Sequence, residues 1–166
     1  MGRRIHARLK KVSSMINEPG IYIGIGMVLS LFATETLGVT AGGLIVPGYI
    51  ALNIDDPTRI IMTFGVSIIT FLIVKFLGNF ILIYGKRRLV ITILLGFLLG
   101  YLTHFLSSEF INSKIRSEDL VVIGNIIPGL IANWMDRQGV LRTMSVVMII
   151  ASITKLIILT LTVLTY

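Results

Sequence analysis

The stretch "GGLIVPGYIAL", residues 42–52, carries no charge, yet a Pro-Gly pair interrupts it. Proline removes a helical hydrogen bond and glycine allows dihedral angles that other residues avoid, so neither suits the middle of a membrane helix. The same pair returns in "IIPGLIAN", residues 126–133. Lipid satisfies no backbone hydrogen bonds, so irregular backbone at membrane depth must contact protein or a water-filled cavity. Both stretches are therefore predicted to point inward, as cavity lining or as tight packing corners between helices.

The composition is typical of an integral membrane protein. Of the 166 residues, 55% are hydrophobic and 14% are charged, and the mean hydropathy is +0.93. The absence of cysteine excludes disulfides, thiolate nucleophiles and cysteine-bound metals. The sequence has no Walker A loop, no dinucleotide-binding glycine pattern and no HExxH motif. We expect no metal, no cofactor and no nucleic-acid partner for this chain.

The apolar runs predict an all-α, polytopic fold with about four transmembrane helices. A helix needs roughly 20 residues to cross about 30 Å of hydrocarbon. Four runs are long enough, at about residues 21–37, 60–84, 89–106 and 143–164. The two Pro-Gly segments, about residues 41–52 and 121–135, are shorter, which favours re-entrant or broken elements over full spans.

The placement of Lys and Arg predicts an orientation, because short basic loops prefer the cytoplasm. A basic arm (residues 1–20) precedes the first run, and a basic turn, "YGKRRL", occupies residues 84–89. If both Pro-Gly segments are re-entrant, the arm, the turn and the C-terminus all lie in the cytoplasm, although Arg137 and Arg142 then lie outside. The arm itself suits either an interfacial helix or a solvated basic tail. These features predict a multi-pass membrane protein.

An internal repeat is predicted within a single membrane domain, residues 21–166, with halves at about 21–84 and 89–166. The two Pro-Gly pairs lie 81 residues apart, and the same shift brings Lys75 to within one residue of Lys155. With an even number of full spans in each half, the halves share one orientation about an axis along the membrane normal. Chance similarity between two apolar stretches is the alternative.

Three ionisable residues fall inside predicted spans, namely Glu35, Lys75 and Lys155. A charge at mid-bilayer costs at least about 2.5 to 3.5 kcal/mol, so each should face the bundle interior or find a partner. The alternative for the lysines is that their long stems reach the interface. We predict that Lys75 faces a cavity beside the first Pro-Gly segment. Because four spans of one chain hardly enclose a pore, a homo- or hetero-oligomer is also expected, with Gly24 and Gly26 allowing close helix contacts.

Three stretches together resemble a known family. They are "ATETLGVTAGGLIVPGYIAL", "FLIVKFLGNFILIYGKRRLV" and "IIPGLIANWMDRQGVLRT". In this order they are similar to the PgsC/CapC family, the small membrane components of bacterial poly-γ-glutamate synthases. The likeness runs from about residue 21 to the C-terminus. The basic arm and Lys155 have no counterpart in the family pattern.

The resemblance implies partners that composition does not reveal. In this family the membrane component works with an ATP-dependent amide ligase (PgsB/CapB-like), which activates the γ-carboxylate of glutamate as an acyl phosphate. An outward-facing accessory protein (PgsA/CapA-like) assists export. ATP and Mg would then belong to the ligase, and this chain would be a component of the complex that binds no ATP. It would support polymerisation and the passage of poly-γ-glutamate across the lipid membrane.

No catalytic residue is assigned, and the candidate residues fall into two groups. The cytoplasmic basic turn is expected to dock the ligase or its acidic product through Lys86, Arg87 and Arg88. The path of the polyanion is expected to include Lys75, Lys155, Glu35, Pro47, Gly48, Pro128, Gly129 and Asn133. Two other functions compete with this one. The first is a stand-alone transporter or channel for an anionic solute, and the second is an acyltransferase-like membrane enzyme with Glu35 or His104 as base.

Overall fold

The described part of the chain is all helical. The computed structural model describes residues 18–80, 85–110 and 123–164, so most of the basic arm and the start of the second Pro-Gly segment lie outside it. Within those ranges the helices are α1 Pro19–Leu37, α2 Val46–Leu52, α3 Pro57–Phe80, α4 Lys86–Phe110, α5 Ile127–Gln138 and α6 Val140–Leu164. Three described helices are long and apolar enough to cross a membrane, Pro19–Leu37, Pro57–Asn79 and Val140–Leu164. The fourth predicted span lies within α4 and stays a prediction.

Glycines end α1 and keep the chain after it irregular. Gly38 adopts a left-handed conformation (φ 62°), and its N–H donates to the carbonyl oxygen of Thr34 at 3.1 Å. A residue without Cβ reaches this conformation at no steric cost, which is why glycine so often ends helices. Gly42 and Gly43 also have positive φ, 68° and 118°. The chain therefore becomes helical again only at Val46. We call residues 38–56, which include α2, the first interrupted segment.

Each Pro-Gly pair lies in the first turn of a helix. Pro47 is the second residue of α2 and Pro128 is the second residue of α5. The first N–H groups of a helix have no intrahelical acceptor, so a proline there loses no hydrogen bond. The prolines thus begin short helices after irregular backbone. We call residues 123–139, which include α5, the second interrupted segment.

The glycines after these prolines bring backbones into direct contact. A methyl group added at Gly26 of α1 would lie 2.5 Å from Cα of Gly48, and one added at Gly48 would lie 2.6 Å from Cα of Ile23. No L residue with a side chain fits at either position without moving a backbone. The second half has a matching contact, because Gly96 of α4 lies against the backbone of Gly129. In each half, a short helix lies against the long helix that precedes it.

The third helix of each half packs on the interrupted segment of the other half. Helix α3 packs on α5, and the N–H of Ile123 donates to Oγ1 of Thr63 at 2.9 Å. Helix α6 packs on α2, and a methyl group at Gly42 would lie 3.0 Å from Cγ2 of Val147. Fully buried apolar side chains at these contacts include Ile50, Ile131, Met135 and Ile158. The two halves therefore share one core.

The first interrupted segment runs back along the whole of α1. Ser30 donates to the carbonyl oxygen of Gly43 at 3.2 Å, and Gly48 lies against the backbone of Ile23. Asp55 then binds Lys155 at 2.7 Å, and the same lysine lies 5.5 Å from the ring centroid of Tyr22. The start of α1, the end of the first interrupted segment and the start of α3 thus lie together. We call this the Asp55 end of the bundle.

The second interrupted segment runs in the opposite direction. It begins beside Thr63, near the start of α3, and Asp136 then binds Arg88 near the start of α4 at 2.6 Å. Gln138, the last residue of α5, binds Thr40, which follows the end of α1. We call this the Gln138 end. The two ends are about 22 Å apart, measured along the 15 residues from Tyr22 to Leu37.

These contacts correct two expectations. The halves do not share one orientation, because the first interrupted segment runs from the Gln138 end to the Asp55 end and the second runs the reverse way. Nor do the segments dip in and return on one side, because each extends between both ends. The described start of the basic turn, Gly85 and Lys86, therefore lies at the end of the bundle opposite to the start of α1.

We predict that the glycine contacts limit the stability of the fold. Gly48→Ala or Gly129→Ala should lower the free energy of unfolding by about 3 kcal/mol or more, at or beyond the upper end of ordinary overpacking, because backbone cannot yield as a side chain does. Gly24→Ala is the matched control, since no atom lies within 4 Å of the added methyl group. It should leave stability unchanged or raise it slightly. Thermal unfolding in detergent measures all three, and equal effects would contradict the contact.

We also predict that single cysteines at the two ends are labelled from opposite faces of the membrane. The chain has no cysteine of its own, so Glu18→Cys and Lys86→Cys can be compared without background. Both positions are exposed. A membrane-impermeant maleimide applied to intact cells should label one and spare the other, whereas Arg142→Cys should behave like Lys86→Cys. Labelling of Glu18→Cys and Lys86→Cys from the same face would refute the arrangement.

Candidate functional site

A lysine, an aspartate and a tyrosine meet at the Asp55 end. Nζ of Lys155 lies 2.7 Å from Oδ2 of Asp55 and 5.5 Å from the ring centroid of Tyr22. Lys155 comes from the middle of α6, Tyr22 from the first turn of α1, and Asp55 from the loop before α3. The cation is therefore held by a carboxylate and by the face of an aromatic ring.

The two members of this ion pair differ in exposure. The side chain of Lys155 is 16% exposed and that of Asp55 is 77% exposed. Lys155 lies about 22 Å along α6 from Val140, at a rise of 1.5 Å per residue. That distance equals the separation of the two ends, so Lys155 lies at the Asp55 end, where Asp55 supplies the partner that a charge close to hydrocarbon needs. The exposed carboxylate of Asp55 is thus paired with a lysine that is itself largely buried.

A second acidic residue lies beside this site. Asp56 contacts Arg59 one turn into α3, with Oδ2 and Nε 3.9 Å apart. Nε of Arg59 is buried and has no hydrogen-bond partner among the described residues. At 3.9 Å the contact is an ion pair without a hydrogen bond, so it contributes little to stability.

The Gln138 end has its own ion pair. Nη2 of Arg88 donates to Oδ1 of Asp136 at 2.6 Å, and the two side chains are 32% and 25% exposed. Arg88 lies on the face of α4 that continues through the buried Thr92 to Gly96. The pair therefore connects the end of α5 to the start of α4, closer to the Gln138 end than the contact between Gly96 and Gly129.

Gln138 and Thr40 connect the two halves at the same end. Oε1 of Gln138 accepts from the N–H and from Oγ1 of Thr40, both at 3.3 Å, and Nε2 donates to the carbonyl oxygen of Thr40. One side-chain amide thus satisfies backbone groups that the end of α1 leaves open. These bonds hold the start of the first interrupted segment against the end of the second.

The basic residues of this end have three kinds of surroundings. Arg88 is held by Asp136, while Lys86 and Arg87 are exposed at the start of α4. Arg137 lies over Trp134, with its guanidinium carbon 5.3 Å from the ring centroid, and Arg142 is exposed in the first turn of α6. The proposed joint docking role of Lys86, Arg87 and Arg88 stays a prediction.

Lys75 lies elsewhere than expected. It is exposed in the last part of α3, and Nζ lies 5.5 Å from the ring centroid of Phe71 on the same helix. Helix α3 packs on α5, so Lys75 is not beside the first interrupted segment. The expected cavity there is wrong for this residue. Glu35 is exposed in the last turn of α1, and no ion pair involves it within the described ranges.

The remaining predicted residues lie in the packed interior. Pro47, Gly48, Pro128 and Gly129 are buried where the short helices contact the long ones, and Asn133 is buried in α5. Of the two readings of the Pro-Gly pairs, these contacts match tight packing corners. Their part in a polymer path stays a prediction.

The sequence analysis missed both aspartates of the ion pairs. Asp55 and Asp136 each follow the proline of a Pro-Gly pair by eight residues, so the repeat spacing of 81 relates them too. Extending the alignment past "PGYIALN" and "PGLIANW" would have found them. Among the described residues no three His, Asp, Glu or Cys side chains come together in a way that could hold a metal ion. His6 lies outside the described residues, as does the side chain of His104.

Comparison with known proteins identifies similar chains. The family model for capsule biosynthesis CapC matches residues 25–144. A capsule biosynthesis protein CapC of Bacillus anthracis is 33% identical over 135 residues, covering 81% of this chain and 89% of the relative. A PGA biosynthesis protein CapC of Bacillus subtilis (strain 168) is 34% identical over 139 residues, covering 81% and 90%. No solved structure matches the chain significantly.

We predict that Arg88 and Asp136 stabilise the fold as a pair. Arg88→Ala or Asp136→Ala should each lower the free energy of unfolding by about 1.5 to 3 kcal/mol, because each leaves a partly buried charge without its hydrogen bond. The double variant should lose about as much as either single variant. Arg87→Ala, at an exposed neighbouring position, should change stability by less than about 0.5 kcal/mol. Additive losses in the double variant would show that the two residues act independently.

Proposed function

The chain belongs to the capsule biosynthesis CapC family, and we propose that it is the membrane component of a poly-γ-glutamate synthase of the bacterial inner membrane. The observation that carries this proposal is the family match over residues 25–144. This range includes both interrupted segments and the glycines of the long helices, Gly26 and Gly96, on which they pack. The names of both relatives refer to biosynthesis of capsule or PGA. Three helices of membrane-spanning length support a place in the bilayer.

The chemistry of polymerisation is assigned to a partner. The sequence contains no nucleotide-binding motif, so ATP and Mg would act in an amide ligase of the PgsB/CapB type. An outward-facing protein of the PgsA/CapA type would assist export. This chain would receive the growing polyanion and stabilise it during passage through the membrane, together with further copies or with its partners.

Lys155 is proposed as a transient binding site for polymer carboxylates. Its ammonium is largely buried and its partner Asp55 is largely exposed, so a carboxylate of the polymer can exchange with Asp55 at the lysine. A cation in a region of low dielectric attracts a carboxylate strongly, and competition from Asp55 keeps that contact weak enough for release. Lys75 offers no comparable site, because it is exposed on the outer face of α3.

The basic residues Arg137 and Arg142 are proposed to contact the ligase or its acidic product at the Gln138 end. Both are exposed and neither is part of an ion pair in the described ranges. Five cations lie at the start of α4, the end of α5 and the start of α6, namely Lys86, Arg87, Arg88, Arg137 and Arg142, and five others lie in the arm that precedes α1. Because α1 begins at the opposite end, the count of basic residues does not choose the cytoplasmic side. The cysteine labelling described above decides it.

We further propose that the interrupted segments cross the bilayer as broken spans. Their opposite directions would make the halves an inverted repeat, related by an axis in the membrane plane. That arrangement is common among secondary transporters, and it favours a second candidate function, which is stand-alone transport of an anionic solute. Transport of glutamate or a short glutamate oligomer by this chain alone, in vesicles without ligase, would support the second function over the first.

Reconstitution tests the principal function. The chain is placed in vesicles together with an amide ligase of the PgsB/CapB type, with ATP, Mg and glutamate on the ligase side, and polymer is assayed on both sides. Polymer on the far side should require both proteins, and the two should copurify in detergent. Far-side polymer made by the ligase without this chain would contradict the proposal.

In the same assay we predict different effects for the two membrane lysines. Lys155→Met should reduce far-side polymer at least about tenfold, corresponding to the loss of roughly 1.4 kcal/mol of carboxylate binding. Ligase copurification should remain, because the substitution lies inside the bundle. Lys75→Met, the matched control at the related position of the other half, should keep output within about twofold. Equal losses in both variants, or none in either, would remove Lys155 from the polymer path.

A further inference from the structure

An apolar groove lies on the outer face of α4. It has a volume of about 310 Å³ and is lined by Val90, Ile93, Leu94, Phe97 and Ile126. Val90, Leu94 and Phe97 lie on successive turns of α4, and all three are exposed, as is Ile126. The groove is therefore open to the surroundings of the bundle along its length.

The glycine contact of the second half creates this groove. Gly129 lies against Ile93 and Gly96, so α5 begins in direct contact with α4. Ile126 comes just before that contact, where the backbone is not yet helical, and its side chain forms the far wall. The related face of α1 carries Gly20, Gly24 and Met27, and nothing lies within 4 Å of a methyl group added at either glycine. The apolar wall that Val90 and Leu94 supply on α4 is thus missing from α1.

Two cations stand at one end of the groove. Lys86 and Arg87 precede Val90 by four and three residues, which places them on the same face of α4. Both are exposed, and the first turn of α4 holds no acidic residue. The neighbouring Arg88 is directed to Asp136 on another face. Lys86 and Arg87 are therefore free of the ion pair that occupies Arg88.

The dimensions match one leaflet of a bilayer. The groove extends about 10 Å from Val90 to Phe97 and begins about 5 Å along the helix from the cations, at 1.5 Å per residue. The hydrocarbon core is about 30 Å thick, so cations at its surface put the groove beside the acyl chains of one leaflet. An occupant with a negative head and an apolar tail fits both parts. We propose that this surface binds a phospholipid with net negative charge, with its phosphate on Lys86 and Arg87 and one acyl chain in the groove.

Charge distinguishes this lipid from a zwitterionic one. Phosphatidylcholine carries a trimethylammonium group beside its phosphate, which the two cations repel, whereas phosphatidylglycerol carries none. Basic side chains next to apolar surface between membrane helices are the usual form of such sites. The bound lipid would hold the end of α4 at the level of the bilayer surface, and the site is independent of the proposed polymer path.

Native mass spectrometry of the purified full chain tests the proposal, with phosphatidylglycerol and phosphatidylcholine supplied in equal amounts. We expect one phosphatidylglycerol to be retained about tenfold more than phosphatidylcholine. The double variant Lys86→Gln, Arg87→Gln should lose this preference by removing the phosphate contacts. Leu94→Trp should lose it by filling the groove. Glycerol phosphate, which has no acyl chain, should not displace the lipid at millimolar concentration.

Two control variants separate specific from general effects. Arg142→Gln removes an exposed cation of the same end, and Leu156→Trp adds a tryptophan at an exposed apolar position of α6. Both should retain phosphatidylglycerol within about twofold of the unchanged chain. Thermal unfolding confirms that every variant is folded before comparison. Equal retention of both lipids, equal losses in the controls, or disulfide dimers of Leu94→Cys that exclude lipid would each overturn the proposal, the last in favour of a second copy in the groove.

Discussion

The fold depends on two places where backbone touches backbone. Gly48 of α2 packs on Gly26 of α1, and Gly129 of α5 packs on Gly96 of α4, so no Cβ separates these backbones. Interdigitated side chains normally keep helix axes about 8 to 10 Å apart. Their absence here lets an interrupted segment fit inside a bundle of only a few long helices. The buried part of its backbone, including Val46, Pro47 and Gly48, then contacts protein, as the bilayer requires of irregular backbone.

The two ends of the interrupted segments meet different electrostatic conditions. Each segment ends near an aspartate, and each aspartate binds a cation from another helix. At the Gln138 end, Arg88 and Asp136 are both partly buried, and the pair connects α4 to α5. At the Asp55 end, Lys155 is largely buried, whereas the carboxylate of Asp55 is exposed. The two aspartates, which the sequence spacing relates, therefore form ion pairs that differ in burial.

The sequence predicted the elements that depend on local physics, but not the directions in which the interrupted segments run between the two ends. Apolar runs and Pro-Gly pairs correctly indicated long helices and interrupted segments that contact protein. Whether a segment returns or passes through depends on contacts between distant residues, such as Gln138 with Thr40, and no local pattern encodes them. Lys75 and Lys155 matched in the alignment, yet their surroundings differ. Asp136, which by spacing corresponds to Asp55, is already bound by Arg88, and that choice of partner is made by the packed helices.

The packing of the third helix of each half on the interrupted segment of the other half has a consequence for biogenesis. Helix α2 is complete at Leu52, but α6, which covers it, begins only at Val140. During synthesis, the first interrupted segment is therefore made long before α6, one of its two principal packing partners, exists. At that stage α1 is the only one of these two partners that can cover its irregular backbone. Because incompletely packed intermediates expose apolar surface, a chain truncated before α6 is expected to be recognised by quality-control proteases.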